Sequence, residues 1–120
     1  MLLPSMRIKS EIWAMAYIRR CSVNGVPAVI ARRGQGDGGA IFIQINTLDG
    51  QAWLYGPAPA GLDESSNERR WSLCCGESAV DESKANSYLQ RQIEFDPDIW
   101  VIEVDDRDGR HFLGQSLSSP

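Results

Sequence analysis

Apolar positions along the chain follow two periods. Between Val26 and Gly56 they come in three short runs, residues 26–33, 40–47 and 51–55, rich in Val, Ile, Phe, Trp and Tyr. Such residues suit a pleated, half-buried surface. The runs are separated by Gly34-Gln35-Gly36-Asp37-Gly38-Gly39 and by Asp49-Gly50. The second is a hairpin dipeptide, because glycine accepts positive φ without steric cost. The pattern predicts a three-stranded antiparallel meander. On its middle strand Ile41, Ile43 and Ile45 share one face and Phe42, Gln44 and Asn46 the other.

Two stretches carry the helical period instead. Over residues 11–24, Trp13, Tyr17 and Cys21 recur at i, i+4, i+8 with Ala14 and Ile18 beside them. Ser10 is the expected N-cap and Gly25 the residue past the end. Ile12, Met15 and Ala16 fall elsewhere on the wheel, so this helix is apolar nearly all round. That predicts burial on more than one side, either between sheet and second helix or at a subunit interface. Over residues 79–95, Ala85, Tyr88, Leu89 and Gln92 mark a buried face, with Ile93 and Phe95 near the end. Ser78 and Asp81 have the spacing of a capping box, and Pro97 stops the helix.

Further strands are expected over 69–75, with Trp71, Leu73 and Cys75 on one side, over 99–104, and over 110–113 after a turn at 105–109. The order α-βββ-β-α-ββ does not alternate as βαβ units. It predicts an α+β domain with a mainly antiparallel sheet of five to six short strands and two helices. A small curved barrel with helices at its mouth is the alternative. The domain is expected over residues 7–113, with 1–6 and 114–120 as flexible termini and the acidic stretch 62–68 as a surface loop. Met6 serves as well as Met1 for a start.

Composition narrows the function classes. With 120 residues the chain is long enough for a core without metal or disulfide staples. Its net charge of −4 argues against a general nucleic-acid binder, which needs a basic surface. The charge is uneven: residues 1–60 hold six Lys/Arg against three acids, residues 61–120 six against thirteen. Cys21, Cys74 and Cys75 are an odd number with two adjacent, unlike a disulfide framework, which places the chain in a reducing, cytoplasmic setting. No secretory signal is visible, and the longest apolar run, residues 12–18, is far short of a membrane span.

Several stretches resemble a known family. They are Arg7-Ile8-Lys9-Ser10-Glu11-Ile12-Trp13, Ala16-Tyr17-Ile18-Arg19-Arg20-Cys21, Leu54-Tyr55-Gly56-Pro57, Phe95-Asp96-Pro97-Asp98-Ile99-Trp100-Val101 and Asp106-Arg107-Asp108-Gly109-Arg110-His111-Phe112-Leu113. From about Arg7 to Leu113 the chain is similar to small bacterial proteins grouped as domain of unknown function 1491. The resemblance implies a bacterial cytoplasmic protein and carries over no catalytic residue.

Candidate chemistry is sparse. The loop Gly34–Gly39 precedes a strand, whereas a phosphate cradle opens a helix. An amide nest at Gly36, Gly38 and Gly39 is the anion-binding form left to it. The acids 105, 106 and 108 lack the ligand spacing of a calcium loop. His111 has no nucleophile signature with it, and the cysteines lack zinc spacing. No cofactor or metal is expected, and catalysis is not. The arginine pairs Arg19-Arg20, Arg32-Arg33 and Arg69-Arg70 carry the better signal, since the guanidinium fork suits carboxylate and phosphate.

Two functions follow. The leading one is a small non-enzymatic protein-interaction or adaptor domain, with a homodimer as one form, using Trp13, Tyr17 and Trp53; tryptophan is enriched at binding hot spots. The other is recognition of a small anion, a nucleotide or phosphorylated metabolite, by the paired arginines and the glycine loop. Neither involves nucleic acid or membrane.

Overall fold

The structure, a computed structural model, describes residues 8–59 and 69–114. The expected flexible ends 1–6 and 114–120, apart from Gly114, and the acidic loop 62–68 lie outside the described residues. The elements in order are α1 (Ser10–Val23), β1 (Ala28–Arg32), β2 (Ile41–Asn46), β3 (Gln51–Pro57), β4 (Trp71–Leu73), β5 (Val80–Asp81), α2 (Glu82–Phe95) and β6 (Trp100–Asp105). This is the α+β class with a mostly antiparallel sheet. The sheet is open rather than closed into the alternative barrel, with strand order β1-β6-β2-β3-β4 and β5 beside β3.

The hairpin of β2 and β3 forms around Asp49-Gly50, where Gly50 has φ of 87°. The meander does not extend to β1. Strand β6 lies between β1 and β2, parallel to β2 and antiparallel to β1. Burial explains the insertion. β6 is apolar along one face and at the start of the other, and a central position covers both: Trp100, Ile102 and Val104 face one core cluster and Val101 the other, ahead of Glu103 and Asp105. β1 keeps the antiparallel direction to β2 that the meander predicts, but one strand further away. Residues 33–40 bridge that gap, which is about 10 Å at ~4.8 Å per strand.

Each face of the sheet has its own helix. Ala14, Tyr17 and Cys21 of α1 pack with Ile41, Ile43, Ile45, Trp100, Ile102 and Val104. Ala85 and Leu89 of α2 pack with Phe42, Ala52, Leu54, Ile99 and Val101. All six residues of β2 are therefore buried. Gln44 and Asn46 are tolerated there because the Gln44 amide donates to Asn46 Oδ1 at 2.9 Å.

Three local expectations change. Strand β4 stops at Leu73, and the chain bends so that Cys74 and Cys75 both pack on the α2 side, away from Trp71. Ser78 does not cap α2. Its hydroxyl donates to the Ala79 carbonyl, and residues 80–81 pair with β3 before the helix begins at Glu82. Residues 110–113 are not a returning strand. Gly109 and Phe112 take φ of 66° and 56°, and the Asp106 carboxylate accepts from the Arg110 amide at 2.8 Å, which winds the chain away from β6.

Candidate functional site

Three of the sequence-selected arginines and the glycine loop gather at the N-terminus of α1. The helix starts at Ser10, yet Ser10 does not cap it: its hydroxyl donates to the Gly39 carbonyl at 2.5 Å and is fully buried. The carbonyls of the glycine loop do the capping instead. Ser10 N donates to Asp37 O at 3.2 Å and Glu11 N to Gly36 O at 2.9 Å, which satisfies two of the four amides a helix leaves open.

The loop in turn folds around its own glutamine. The amides of Asp37 and Gly38 donate to Gln35 Oε1 at 2.9 and 2.7 Å, and Gly39 N donates to Gln35 O at 3.2 Å. An amide nest exists, and a side-chain oxygen of the same loop occupies it. Gly34 and Gly39 are needed for contact rather than for φ: a Cβ on either would stand 2.1 Å from the Asp98 carbonyl. That carbonyl accepts from Gln35 N, and the Trp100 indole donates to Gln35 O at 2.7 Å, tying the loop to the start of β6.

Three of the arginines brace this junction. Arg33 pairs with Glu11 and its guanidinium lies 5.1 Å from the Trp100 ring centre. Arg32 donates to the Pro97 carbonyl at 2.9 Å. Arg69 donates to Ile8 O and to Ser10 Oγ, both at 3.0 Å. Arg70 is half-buried just before β4. Arg19 and Arg20 stand at the other end of α1, about 13 Å along the axis from Ser10 at ~1.5 Å per residue. Arg20 donates to the Phe112 carbonyl at 2.7 Å. The structure thus brings Arg32, Arg33, Arg69, Gly36, Gly38 and Gly39 together and leaves Arg19 and Arg20 apart.

The side of α1 turned away from the sheet is of different character. Among the described residues the exposed large hydrophobics are Ile8, Ile12, Met15, Val23, Val29, Leu48 and Phe95, with Ile12 59% and Val23 79% exposed. Four of these seven belong to α1 or the residue pair before it. A groove of about 130 Å³ runs along the helix, lined by Ile8, Ile12, Ala16 and Arg20 on one row and Trp13 and Tyr17 on the next. Each row has i, i+4 spacing, so this is a helix-packing groove of the kind another helix fills. Its floor is firm. Trp13 stacks on Tyr17 at 5.2 Å and packs at a tilt against Trp71 at 4.9 Å, and the Tyr17 hydroxyl donates to the His111 carbonyl at 2.7 Å.

Of the three interaction residues named from sequence, Trp13 and Tyr17 line this groove, while Trp53 sits on β3 against Gly109. Ile12 and Met15 were not singled out, because the Trp13–Tyr17–Cys21 row reads as the stronger stripe. The signal was present as a second i, i+4 row, Ile12–Ala16–Arg20, next to the Trp13–Tyr17 row on the wheel.

The remaining reactive groups are held quiet. Burial pushes the Cys74 thiol up to about 11, and raises those of Cys75 and Cys21. Burial also lowers the basicity of His111, whose Nδ1 accepts from the Leu113 amide at 2.9 Å. Asp106 is held below the usual carboxylate range by its hydrogen bonds from Arg110. No group of three or more metal-ligating side chains occurs among the described residues, and no described helix is long and apolar enough to cross a membrane.

Comparison with known proteins places the chain. A crystal structure of a DUF1491 family protein from Caulobacter crescentus CB15 is 35% identical, with a TM-score of 0.77, covering 95% of this chain and 100% of that one. A solution structure of a DUF1491 family protein from the same organism is 37% identical, with a TM-score of 0.76 over 95% and 99% of the two chains. A protein from A. tumefaciens is 33% identical, with a TM-score of 0.74 over 96% and 98%. Among curated proteins there is no match. The pattern described as "Protein of unknown function (DUF1491)" matches residues 8–114, from the groove at Ile8 to the turn at Gly114, and the chain belongs to that family.

Proposed function

We propose that the chain is a non-enzymatic protein-interaction domain that docks a helix of a partner protein on the outer face of α1. One observation carries this reading: the solvent side of α1 pairs a packing groove with four exposed large hydrophobics, Ile8, Ile12, Met15 and Val23. A helix that leaves such side chains in water forgoes their burial, worth about 1.5–3 kcal/mol each when complete. Adjoining apolar residues of this kind mark a binding surface more often than scattered ones do. The rigid aromatic floor supports the same reading, since Trp13 and Tyr17 are already fixed by stacking and lose little freedom on binding. The three free thiols fit a reducing, cytoplasmic compartment.

The test is comparative capture from a lysate of a bacterium carrying a DUF1491 protein, with wild type and an Ile12→Asp/Met15→Asp variant immobilised side by side. Both positions are exposed, so the variant should melt like the wild type. The expected result is a protein retained by wild type and absent from the variant. Identical retained sets would overturn the reading.

A further inference from the structure

The partner chemistry that this groove selects can be read from its charges, and this step rests on the docking role of α1. We infer that the helix occupying the groove is α1 of a second copy, laid antiparallel across the first so that the chain forms a two-fold dimer.

The geometry is self-complementary. Ile12, Ala16 and Arg20 form a ridge with i, i+4 spacing, continued by Ile8 just before the helix, directly beside the groove that Trp13 and Tyr17 close on the other side. A ridge and a groove of the same spacing on one helix let two copies interdigitate reciprocally, the arrangement that crosses at about −50° with axes ~8–10 Å apart. Ala16, the smallest residue of the row, sits near the middle of α1 and admits the close approach. A two-fold axis near Met15 and Ala16 places Arg19 of one helix over Ile12 of the second copy. The arginine stem then covers the exposed isoleucine, and its guanidinium reaches Glu11 of the second copy.

Both charges are placed for this. Arg19 is exposed and has no hydrogen-bond or ion-pair partner among the described residues. Glu11 pairs with Arg33 yet keeps half of its side chain in solvent, leaving carboxylate surface for a second cation. The symmetry makes the contact twice. A foreign helix has no reason to carry this pattern, whereas a second α1 carries it by construction, as an isologous interface requires.

Sedimentation equilibrium across a concentration series up to about 1 mM, the −4 kcal/mol end of measurable association, tests the inference. Wild type is expected to show a monomer–dimer equilibrium. Arg19→Glu and Glu11→Lys, each alone, are expected to weaken it about tenfold or more. An equimolar mixture of the two restores both contacts in the heterodimer and is expected to return to within about threefold of wild type, as for charge-swapped pairs generally. Circular dichroism melts show whether each variant is folded, and Ser22→Glu serves as an exposed control off the ridge. A wild type that stays monomeric throughout overturns the inference, and a variant lacking residues 2–6 that then dimerises would assign the groove to the chain's own N-terminal segment. Single variants that weaken association without rescue in the mixture also overturn it. A monomeric wild type would leave the lysate comparison free to show a different helix in the groove, so the two readings fail separately.

Discussion

Single residues decide how the glycine loop is built, and two glycines that look alike in sequence differ sharply. A Cβ at Gly39 would lie 2.1 Å from the Asp98 carbonyl, a backbone atom that cannot turn aside, whereas one at Gly36 would lie 3.6 Å from Glu11 Oε1. Gly39→Ala should therefore cost about 2 kcal/mol or more in urea unfolding, as forced overpacking does, and Gly36→Ala should stay within about 0.5 kcal/mol. His111 supports a second expectation. Its Nδ1 accepts from the Leu113 amide, and burial lowers its pKa from 6.5. The unfolded chain then takes up the proton first. The stabilisation is complete above pH 6.5 and is lost as pH falls from there through the lower folded-state value. Tyr17 and Tyr55, which face this segment, stay neutral in that window, and Asp106 titrates below it. Melting temperatures measured between about pH 7.5 and 5.5 should drop further for wild type than for His111→Gln, which cannot ionise. Equal drops would show that His111 contributes nothing to the pH dependence. None of this was legible beforehand, because "glycine-rich loop" and "lone histidine" describe composition, while the Asp98 carbonyl and the Leu113 amide arrive from elsewhere in the fold.

At the scale of elements, α1 shows both what a pattern reveals and what it hides. Its length, its end at Gly25 and the burial of Tyr17 and Cys21 with Ala14 beside them were legible because the helical period and the left-handed glycine are local properties, while Trp13, the first residue of the expected row, is only half-buried. The N-terminus was not, because Ser10 faces inward to Gly39 and Arg69, and the capping carbonyls come from a loop some 25 residues further on. Ser10→Ala should thus be felt as the loss of a buried hydrogen-bonded hydroxyl rather than of a cap. The expected cost is about 1–3 kcal/mol in chemical denaturation, from a Gly39 carbonyl and an Arg69 donor left short of a partner. Ser22→Ala, on the exposed side of the same helix, should change stability by less than about 0.5 kcal/mol. If the two substitutions cost the same, the buried role of Ser10 is wrong. Half of the outer groove was likewise readable, through Trp13 and Tyr17. The other half was masked because a helix with two apolar stripes gives no indication of which one the sheet takes.

For the whole molecule, the decisive fact is where β6 lies. Alternation along Trp100, Ile102 and Val104 announced a good strand, and nothing local said that it would enter the sheet between β1 and β2. Strand pairing at long sequence separation is settled by which order buries the most apolar side chain across both faces of the sheet, and that competition is decided among all strands at once. A chain ending at residue 96 would keep the β2–β3 hairpin and both helices but lose the strand that ties β1 to the rest. Such a truncation should give no cooperative thermal transition and should lose near-ultraviolet tryptophan dichroism. Full-length chain should show one sharp transition, and a truncated chain melting cooperatively would mean that β1 finds another partner.

The same topology has a consequence during synthesis. Translation proceeds from the N-terminus, so β1, β2 and the hairpin leave the ribosome while the strand destined for the space between them has not yet been made. Roughly 55 residues separate β2 from β6, which at about 5–20 residues per second leaves some 3–10 s in which two strand edges and an isoleucine-rich face stand open on a nascent chain. That interval favours a holding chaperone and gives a protease its best access. It also makes the rate of elongation between residues 47 and 105 a determinant of yield: slowing it with rare codons should send more of the product to inclusion bodies, although the finished sequence would be identical.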